Sequence, residues 1–253
     1  MKLLNIGKQY FWKVAVKDQN QNLIFSDTYS FTTEDTPPRW IKASDASKKD
    51  EHGVTNVRDM GGWKTKDGHK VKQNLIYRGS EFDDHILLTD YSKNVFLNEL
   101  KIKTDFDVRL SETTSSPLGE NINYVNVKMH GAYKRISEFK DEYKEMFKVF
   151  INKENYPLYI HCWGGADRTG TLLTLILGVL NVSEEDIFLE YELTSFSVWG
   201  PRSSNSELFT GFKKELDKYG NKNDSFAVKC KNFVLSTGIT QDEIETIRQI
   251  MLE

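Results

Sequence analysis

Apolar and polar residues alternate near the start of the chain. From Tyr10 to Val16, every second residue is aromatic or β-branched, and a polar turn over residues 17–22 precedes a second β-rich run that reaches Thr32. A period of two is typical of a strand with one buried face, so we expect a β-hairpin here. A lone hairpin is marginally stable in water, so its apolar face needs a surface to pack on.

From about residue 40 onward, short apolar runs alternate with longer amphipathic segments. This order indicates an α/β fold, with a central, mostly parallel sheet of four to five strands flanked by helices. Strands are predicted at residues 75–78, 104–109, 124–127 and 158–161. Helices are predicted at residues 89–100, 134–152, 169–181, 183–196, 205–219, 224–236 and 240–252. Ser183 and Thr240, each followed by acidic residues, mark two of the helix starts.

The two parts are separated by Pro37 and Pro38, which cannot continue a strand ladder. We therefore expect a hairpin at residues 1–35 and an α/β domain at residues 36–253. The hairpin sequence resembles the last two strands of a fibronectin type III domain, a fold of about 100 residues. It would then be either the remnant of a longer protein or a hairpin that docks on the following domain.

Composition excludes several classes of protein. The 253-residue chain has a formal net charge of -3, so we expect no general attraction to nucleic acid or to an anionic membrane. Its two cysteines exclude a disulfide scaffold and a C-x-x-C zinc site, and we expect no metal or other cofactor. No stretch is long enough to span a membrane, and the first residues lack the apolar run of a signal peptide. We expect a cytoplasmic protein, although the fibronectin-like segment would also fit an exported parent.

The most informative segment is residues 156–173, where an apolar strand leads into a glycine-containing loop and then a helix that starts near Arg168. Such a loop directs several backbone N–H groups at one point, with the helix dipole behind them. Cys162 and Arg168 frame the loop, so both side chains can reach one bound anion. The N–H groups, the dipole and the guanidinium all favour the thiolate, which would attack phosphorus and form a phosphocysteine. A merely structural cysteine would leave the loop and Arg168 unexplained.

From His161 to Gly170 the chain reads His-Cys-Trp-Gly-Gly-Ala-Asp-Arg-Thr-Gly. This sequence is similar to the signature of the protein tyrosine phosphatase superfamily. Residues 53–68, 75–80 and 105–109 resemble the bacterial tyrosine/serine, dual-specificity-like phosphatase family, and with the C-terminal segment the resemblance spans about 50–253. It implies the cysteine-phosphatase fold and the metal-free hydrolysis of phosphomonoesters, with a phosphorylated protein or a small phosphomonoester as substrate.

The same resemblance implies residue roles. Cys162 would be the nucleophile and Arg168 the phosphate ligand, Thr169 would stabilise the leaving thiolate in the hydrolytic step, and His161 would orient the loop. The phosphate cradle would consist of the backbone N–H groups of Trp163, Gly164, Gly165, Ala166, Asp167 and Arg168. The run at residues 56–62 would form a structural turn in which Gly61 and Gly62 adopt positive φ.

The proton donor that expels the leaving group departs from the usual pattern. The superfamily takes it from an aspartate on a separate loop, but the matching residues 127–133 contain none. Asp167 within the loop and Asp107 at the end of a strand are the two candidates, and Asp167 is preferred. For both, a salt bridge is the alternative role.

The loop also departs from phosphoinositide-cleaving relatives, which have a lysine within the loop, and from many bacterial relatives, which have it directly before the aspartate, where this chain has Ala166. Arg168 is then the only cation of the loop, unless Lys128, Lys134, Arg135 or Arg202 reaches in. We therefore expect a protein tyrosine or dual-specificity phosphatase. A phosphoinositide or inositol-phosphate phosphatase and a catalytically dead phospho-binding module are the alternatives.

A further loop at residues 195–204 carries Trp199 next to a Gly-Pro pair. It could be a substrate wall, or a helix–helix connection that buries Trp199.

Overall fold

The structure, a computed structural model, describes residues 7–34, 36–44, 53–130, 133 and 135–253. It divides into two compact units, Met1–Thr36 and Pro37–Glu253. Among the described residues, none of the helices combines the length and the apolar character needed to cross a membrane.

The first unit is the predicted antiparallel hairpin. Its strands form two successive ladders, in which β1 pairs with β4 and β2 pairs with β3. The four strands are β1 (Gln9–Trp12), β2 (Ala15–Lys17), β3 (Leu23–Phe25) and β4 (Tyr29–Thr32). On one face of the outer ladder the rings of Trp12 and Tyr29 stack at 4.9 Å, as cross-strand aromatic pairs do in stable hairpins. The kinship with a fibronectin type III domain stays a prediction.

The second unit is the predicted α/β domain, built on a six-stranded sheet. Its strands are β5 (Arg39–Trp40), β6 (Arg58–Asp59), β7 (Ile76–Gly79), β8 (Thr104–Asp107), β9 (Asn123–Asn126) and β10 (Leu158–His161). The order across the sheet is β5-β6-β7-β10-β8-β9, and the last four run parallel. The predicted sheet of four to five strands did not include the two-residue strands β5 and β6. These strands pair antiparallel and are too short to give a periodic signal.

The central strand β10 is buried on both faces, since it lies between two hydrophobic cores. Leu158 and Ile160 belong to the larger core, whereas Tyr159 points to the other face and packs with Phe82 and Phe96. Successive side chains of a strand point to opposite faces, so a strand that is apolar throughout must be covered on both sides. This burial fixes the end of β10, from which the cysteine loop departs.

The helices of the second unit lie close to the predicted positions. They are α1 (Asp90–Asn94), α2 (Lys140–Ile151), α3 (Arg168–Val179), α4 (Glu184–Glu192), α5 (Glu207–Leu216), α6 (Phe226–Ser236) and α7 (Gln241–Met251). Ser183 and Thr240 cap α4 and α7 as expected, and Thr240 forms a reciprocal capping box with Glu243. Every residue of α3 after Arg168 is buried, and its leucine, isoleucine and valine side chains belong to the larger core.

Two predicted helices are shorter than expected. The helix predicted at residues 89–100 changes after α1 into a π-helical turn, Val95–Glu99, and the one predicted at 134–152 begins only at Lys140, after the 3₁₀ turn Ile136–Glu138. Arg135, with φ of 54°, precedes that turn in the left-handed region, which ends the helical hydrogen-bond pattern on its N-terminal side. Apolar periodicity carries no signal for such local changes of helix type.

Candidate active site

The cysteine loop leaves the carboxyl end of β10 and runs into the first turn of α3. Gly165 has φ of +59°, and a Cβ atom at this position would lie 1.9 Å from the carbonyl oxygen of Gly79 at the end of β7. Only glycine fits such a contact. The loop is therefore packed tightly against the neighbouring parallel strand, and its path is fixed by the sheet.

The carbonyl oxygens of the loop are held by two buried side chains. Asn56 Nδ2 donates to the carbonyl oxygen of Gly164 at 2.9 Å and to that of Gly165 at 3.3 Å. Arg78 Nη2 donates to the carbonyl oxygens of Gly165 and Ala166. These bonds fix the orientation of the peptide planes of the loop. Through Asn56, the structural turn at residues 56–62 thus contributes to the site.

The backbone N–H groups of residues 163–168 differ from these carbonyl groups in their hydrogen bonding. None of them donates a hydrogen bond to another residue that the structure describes. Six consecutive N–H groups at a helix N-terminus, with the carbonyl groups tied back, make a concave donor array of the kind that binds anions.

Behind the loop lies a buried ionic trio. Arg58 Nε and Arg78 Nη1 donate to the two carboxylate oxygens of Glu190 at 2.7 and 2.6 Å. Burial, with Arg78 close by, lowers the pKa of Arg58 to about 10, which still leaves its guanidinium charged at neutral pH. Two positive charges against one negative leave a net positive charge directly behind the anion cradle, which favours an anion in the loop.

The two glycines of the turn at residues 56–62 differ in backbone conformation. Gly62 has the expected positive φ of +97°, but Gly61 does not. A Cβ atom on Gly61 would lie 2.3 Å from the carbonyl oxygen of Lys72, so this glycine is required by close backbone approach. The prediction of positive φ at Gly61 was wrong.

Cys162 and His161 are both buried where β10 ends. His161 Nε2 is 2.8 Å from Asp105 Oδ1, and its Nδ1 is 3.4 Å from the carbonyl oxygen of Cys162. Burial lowers the pKa of His161, but the carboxylate of Asp105 outweighs it and raises the value to about 8. The residue that precedes the cysteine therefore carries a positive charge at neutral pH.

Arg168 opens α3 and lines a cleft of about 390 Å³. Its guanidinium forms no ion pair or hydrogen bond with any residue that the structure describes, so it is available to a ligand. Trp163, the residue after Cys162, lines the same cleft with about half of its surface exposed. Arg168 and Trp163 therefore border one concavity, whose remaining lining is Asp83, Asp84, Arg109, Leu110, Ser111 and Thr113.

Thr169 lies in the first turn of α3, directly after Arg168. Its hydroxyl is buried and has no hydrogen-bond partner among the described residues. A buried hydroxyl without a partner is costly in a folded protein, unless a ligand or reaction intermediate supplies one. The role predicted for Thr169 toward the sulfur stays a prediction.

The two aspartates considered as proton donors are both paired with arginines. Asp167 accepts from Arg202 Nε at 2.9 Å and from Arg202 Nη2 at 3.0 Å, one bond to each carboxylate oxygen. Asp107 is buried and accepts from Arg109 and from the hydroxyl of Tyr124. Burial raises the pKa of Asp107, but His161 and Arg109 outweigh this and leave it below the ordinary value.

Of the other cations proposed from the sequence, those that the structure describes have acidic partners, and none of these lines the cleft. Lys128 pairs with Glu112 at 2.6 Å and Arg135 with Glu138 at 3.3 Å. Lys134 lies outside the described residues.

Trp199 packs on the cysteine loop. A Cβ atom on Gly164 would lie 2.5 Å from the indole ring of Trp199, and Trp199 Nε1 donates to the hydroxyl of Thr55 at 3.0 Å. With Arg202 bound to Asp167, the connection after α4 covers one side of the loop. The sequence gives no signal for these contacts, because they join residues more than thirty positions apart.

A turn at residues 81–86 is a part of the site that sequence reasoning missed. The buried carboxylate of Glu81 accepts four backbone N–H groups, those of Asp83, Asp84, His85 and Ile86, at 2.6 to 2.9 Å. The N–H of Glu81 in turn donates to the carbonyl oxygen of Trp163 at 2.9 Å. The turn is thereby fixed to the cysteine loop and forms one wall of the cleft.

Comparison with known proteins gives one family. A model described as the tyrosine phosphatase family matches residues 50–253. Similar solved structures include the core catalytic domain of the PP-IP phosphatase SIW14 from S. cerevisiae in complex with citrate. It is 24% identical in sequence, the match covers 59% of this chain and 92% of that one, and the TM-score is 0.42. A second structure of the Siw14 catalytic core is 20% identical over 70% and 90% of the two chains, with a TM-score of 0.42. DUSP15 is 17% identical over 64% and 90%, with a TM-score of 0.40.

Proposed function

Because this chain belongs to the tyrosine phosphatase family and is a phosphoric monoester hydrolase, we propose that it cleaves phosphotyrosine, or both phosphotyrosine and phosphoserine or phosphothreonine, through a phosphocysteine on Cys162. The observation that carries this proposal is the array of N–H groups at residues 163–168, none bonded to another described residue, with Arg168 beside it. A phosphoryl dianion fits such an array, because N–H donors, helix dipole and guanidinium all act on the same charge.

In the first step, the sulfur of Cys162 attacks phosphorus while the bond from phosphorus to the ester oxygen breaks. The equatorial oxygens stay bound to the N–H groups and to Arg168, which can hold two of them at once. The charged trio of Arg58, Arg78 and Glu190 does not touch the substrate. It holds the peptide planes in place and adds positive potential behind them.

In the second step, water attacks the phosphocysteine and the sulfur leaves as a thiolate. The unpartnered hydroxyl of Thr169 supports this step, since it can donate to the departing sulfur. The protonated His161 stabilises the same negative charge from the other side. Inorganic phosphate is released and the free thiolate is regenerated.

The cleft supports a singly phosphorylated aryl ester as substrate. Two cations line the cleft. Arg168 has no partner among the described residues, whereas Arg109 is bound to Glu81, Asp83 and Asp107. The exposed faces of Trp163 and Leu110 suit an aromatic ring, and Asp84 would repel further phosphates.

The test combines two variants with a substrate panel. Hydrolysis of 4-nitrophenyl phosphate in the presence of EDTA should be abolished in Cys162→Ser, and vanadate should inhibit the wild type. Arg168→Lys should raise KM and lower kcat, because lysine cannot make the bidentate contact.

Among natural substrate classes, phosphotyrosine peptides should have the highest kcat/KM in a malachite-green assay. A higher value for a polyphosphorylated inositol would overturn the substrate assignment and leave the phosphatase mechanism standing. Full activity in Cys162→Ser would overturn the mechanism itself.

A further inference from the structure

Asp83 lines the same cleft as Arg168 and Trp163, although no motif draws attention to it. The turn that carries it is fixed by Glu81, whose carboxylate binds four N–H groups, and it is joined to the cysteine loop through Trp163. The ring of His85 also packs against Trp163, at 4.3 Å between ring centroids. A side chain on such a rigid turn keeps a fixed position relative to a phosphate bound in the loop.

The carboxylate of Asp83 shares its cation with two others. Arg109 Nη2 lies 2.7 Å from Asp83 Oδ1, but Arg109 is also bound to Asp107 at 2.8 Å and to Glu81 at 3.4 Å. One guanidinium thus serves three carboxylates. The carboxylate of Glu81 also accepts hydrogen bonds from backbone N–H groups, and that of Asp107 accepts one from the hydroxyl of Tyr124. Asp83 Oδ2, in contrast, accepts only a long hydrogen bond of 3.3 Å from the hydroxyl of Thr113.

These surroundings favour protonation of Asp83 over that of Asp107. Burial raises the pKa of Asp83, with a smaller contribution in the same direction from Glu81, and together they outweigh Arg109 and His161. The pKa of Asp107 is shifted the opposite way. Asp167 accepts a hydrogen bond from Arg202 at each oxygen, and it is not among the described residues that line the cleft.

We propose that Asp83, rather than the aspartate of the cysteine loop, donates the proton to the ester oxygen of the substrate. This inference rests on the proposed function. As the sulfur–phosphorus bond forms, the phosphorus–oxygen bond breaks and its electron pair goes to the ester oxygen, which takes the proton from Asp83. The product alcohol leaves neutral and Asp83 becomes a carboxylate.

The same carboxylate serves the second step. It accepts one proton from the attacking water as the oxygen–phosphorus bond forms and the sulfur–phosphorus bond breaks. Asp83 is then protonated again and the cycle closes with no other proton source. Asp167 acts instead as a positioning residue, since its bond to Arg202 ties the loop to the connection that follows α4.

The test uses Asp83→Asn and two substrates that differ in leaving group. Phenyl phosphate releases a phenol that resembles tyrosine and needs a proton, whereas 4-nitrophenyl phosphate needs it far less. We expect kcat for phenyl phosphate to fall by about 100-fold or more, as for a general acid, with a much smaller loss for 4-nitrophenyl phosphate. The basic limb of the kcat–pH profile should disappear in the variant.

Asp90→Asn is the matched control, since it makes the same substitution in the exposed first turn of α1 and should keep the wild-type leaving-group dependence. Vanadate affinity and thermal unfolding of Asp83→Asn should stay close to wild type, which separates loss of the acid from loss of the fold. An unchanged leaving-group dependence in Asp83→Asn, or the expected changes appearing in Asp167→Asn instead, would overturn this inference. Neither result would affect the phosphocysteine mechanism, which fails only if Cys162→Ser stays active.

Discussion

At the scale of single residues, the chemistry of the site depends on groups that are buried and charged. His161 is the clearest case, because the structure gives it a carboxylate partner, Asp105, which also accepts a hydrogen bond from Ser116. The pair holds the end of β10 in place and keeps a positive charge beside Cys162. Its protonation is therefore linked both to folding and to catalysis.

The raised pKa of His161 predicts a specific pH dependence of stability. The folded-state value of about 8 lies above the ordinary 6.5, so the stabilisation is complete below the lower value and is lost as pH rises through the upper one. We expect the wild type to lose about 2 kcal/mol of unfolding free energy between about pH 6 and pH 9. Urea denaturation at several pH values measures this.

In His161→Asn that loss should vanish, whereas His130→Gln, at an exposed position, should keep it. A wild-type stability that does not change over this range would contradict the assignment of charge to His161.

Thr169→Ala should slow the second chemical step more than the first. The hydroxyl has no partner among the described residues, so its removal costs little stability and acts on the departing sulfur. We expect a burst of 4-nitrophenol followed by a steady state about 10- to 100-fold slower than wild type. Thr174→Ala, which removes another buried hydroxyl without a partner within α3, is the control and should show no burst. Equal slowing of both phases in Thr169→Ala would contradict the proposed role.

At the scale of elements, the site is the junction between a buried strand and a buried helix. The sequence predicts this junction well, since the apolar run at 158–161 and the apolar helix after Arg168 both have strong patterns. The turn at 81–86 and the connection through Trp199 were not predictable in their roles, because their effect comes from contacts between distant segments. Glu81 resembles any surface glutamate in sequence, yet it is buried and organises four backbone groups.

Gly165→Ala tests the packing of the loop on β7. A methyl group would collide with the carbonyl oxygen of Gly79, and φ of +59° is strained for any other residue. We expect kcat/KM to fall by about 100-fold or more, because a displacement of about 1 Å in the cradle is enough to misplace the phosphate.

The matched control is Gly211→Ala in α5, where a Cβ atom meets nothing within 4 Å. This variant should keep full activity and gain up to about 1 kcal/mol of stability, since alanine favours the helix. Wild-type kcat/KM in Gly165→Ala would show that the loop does not need the path described.

At the scale of the whole molecule, the sequence indicates a hairpin followed by an α/β domain, and the structure has both. The fold class was predictable because helix and strand periods alternate over a long stretch. The short antiparallel strands β5 and β6 were not, since two residues give no period. The proton donor that we propose was also beyond the sequence, because burial and competition for Arg109 distinguish Asp83 from Asp107 only once the chain is folded.

The division of the chain into two compact units predicts that the second unit, by itself, is sufficient for activity. We propose that residues 37–253 fold and hydrolyse 4-nitrophenyl phosphate with the kcat/KM of the whole chain, because every residue of the site lies in that unit. Activity and thermal unfolding of the two proteins, measured side by side, test this. A large loss of either in the shorter protein would mean that the hairpin belongs to the fold of the catalytic unit.

The most direct test of the mechanism is to identify the atom that carries the phosphoryl group during turnover. Wild type and Thr169→Ala are mixed with a phosphotyrosine peptide, quenched in acid within the burst, digested and analysed by mass spectrometry. We expect one phosphoryl group on the peptide that contains Cys162, at higher occupancy in Thr169→Ala. Release of phosphate with no modified cysteine at any quench time, or a phosphoryl group on a different residue, would contradict nucleophilic attack by Cys162.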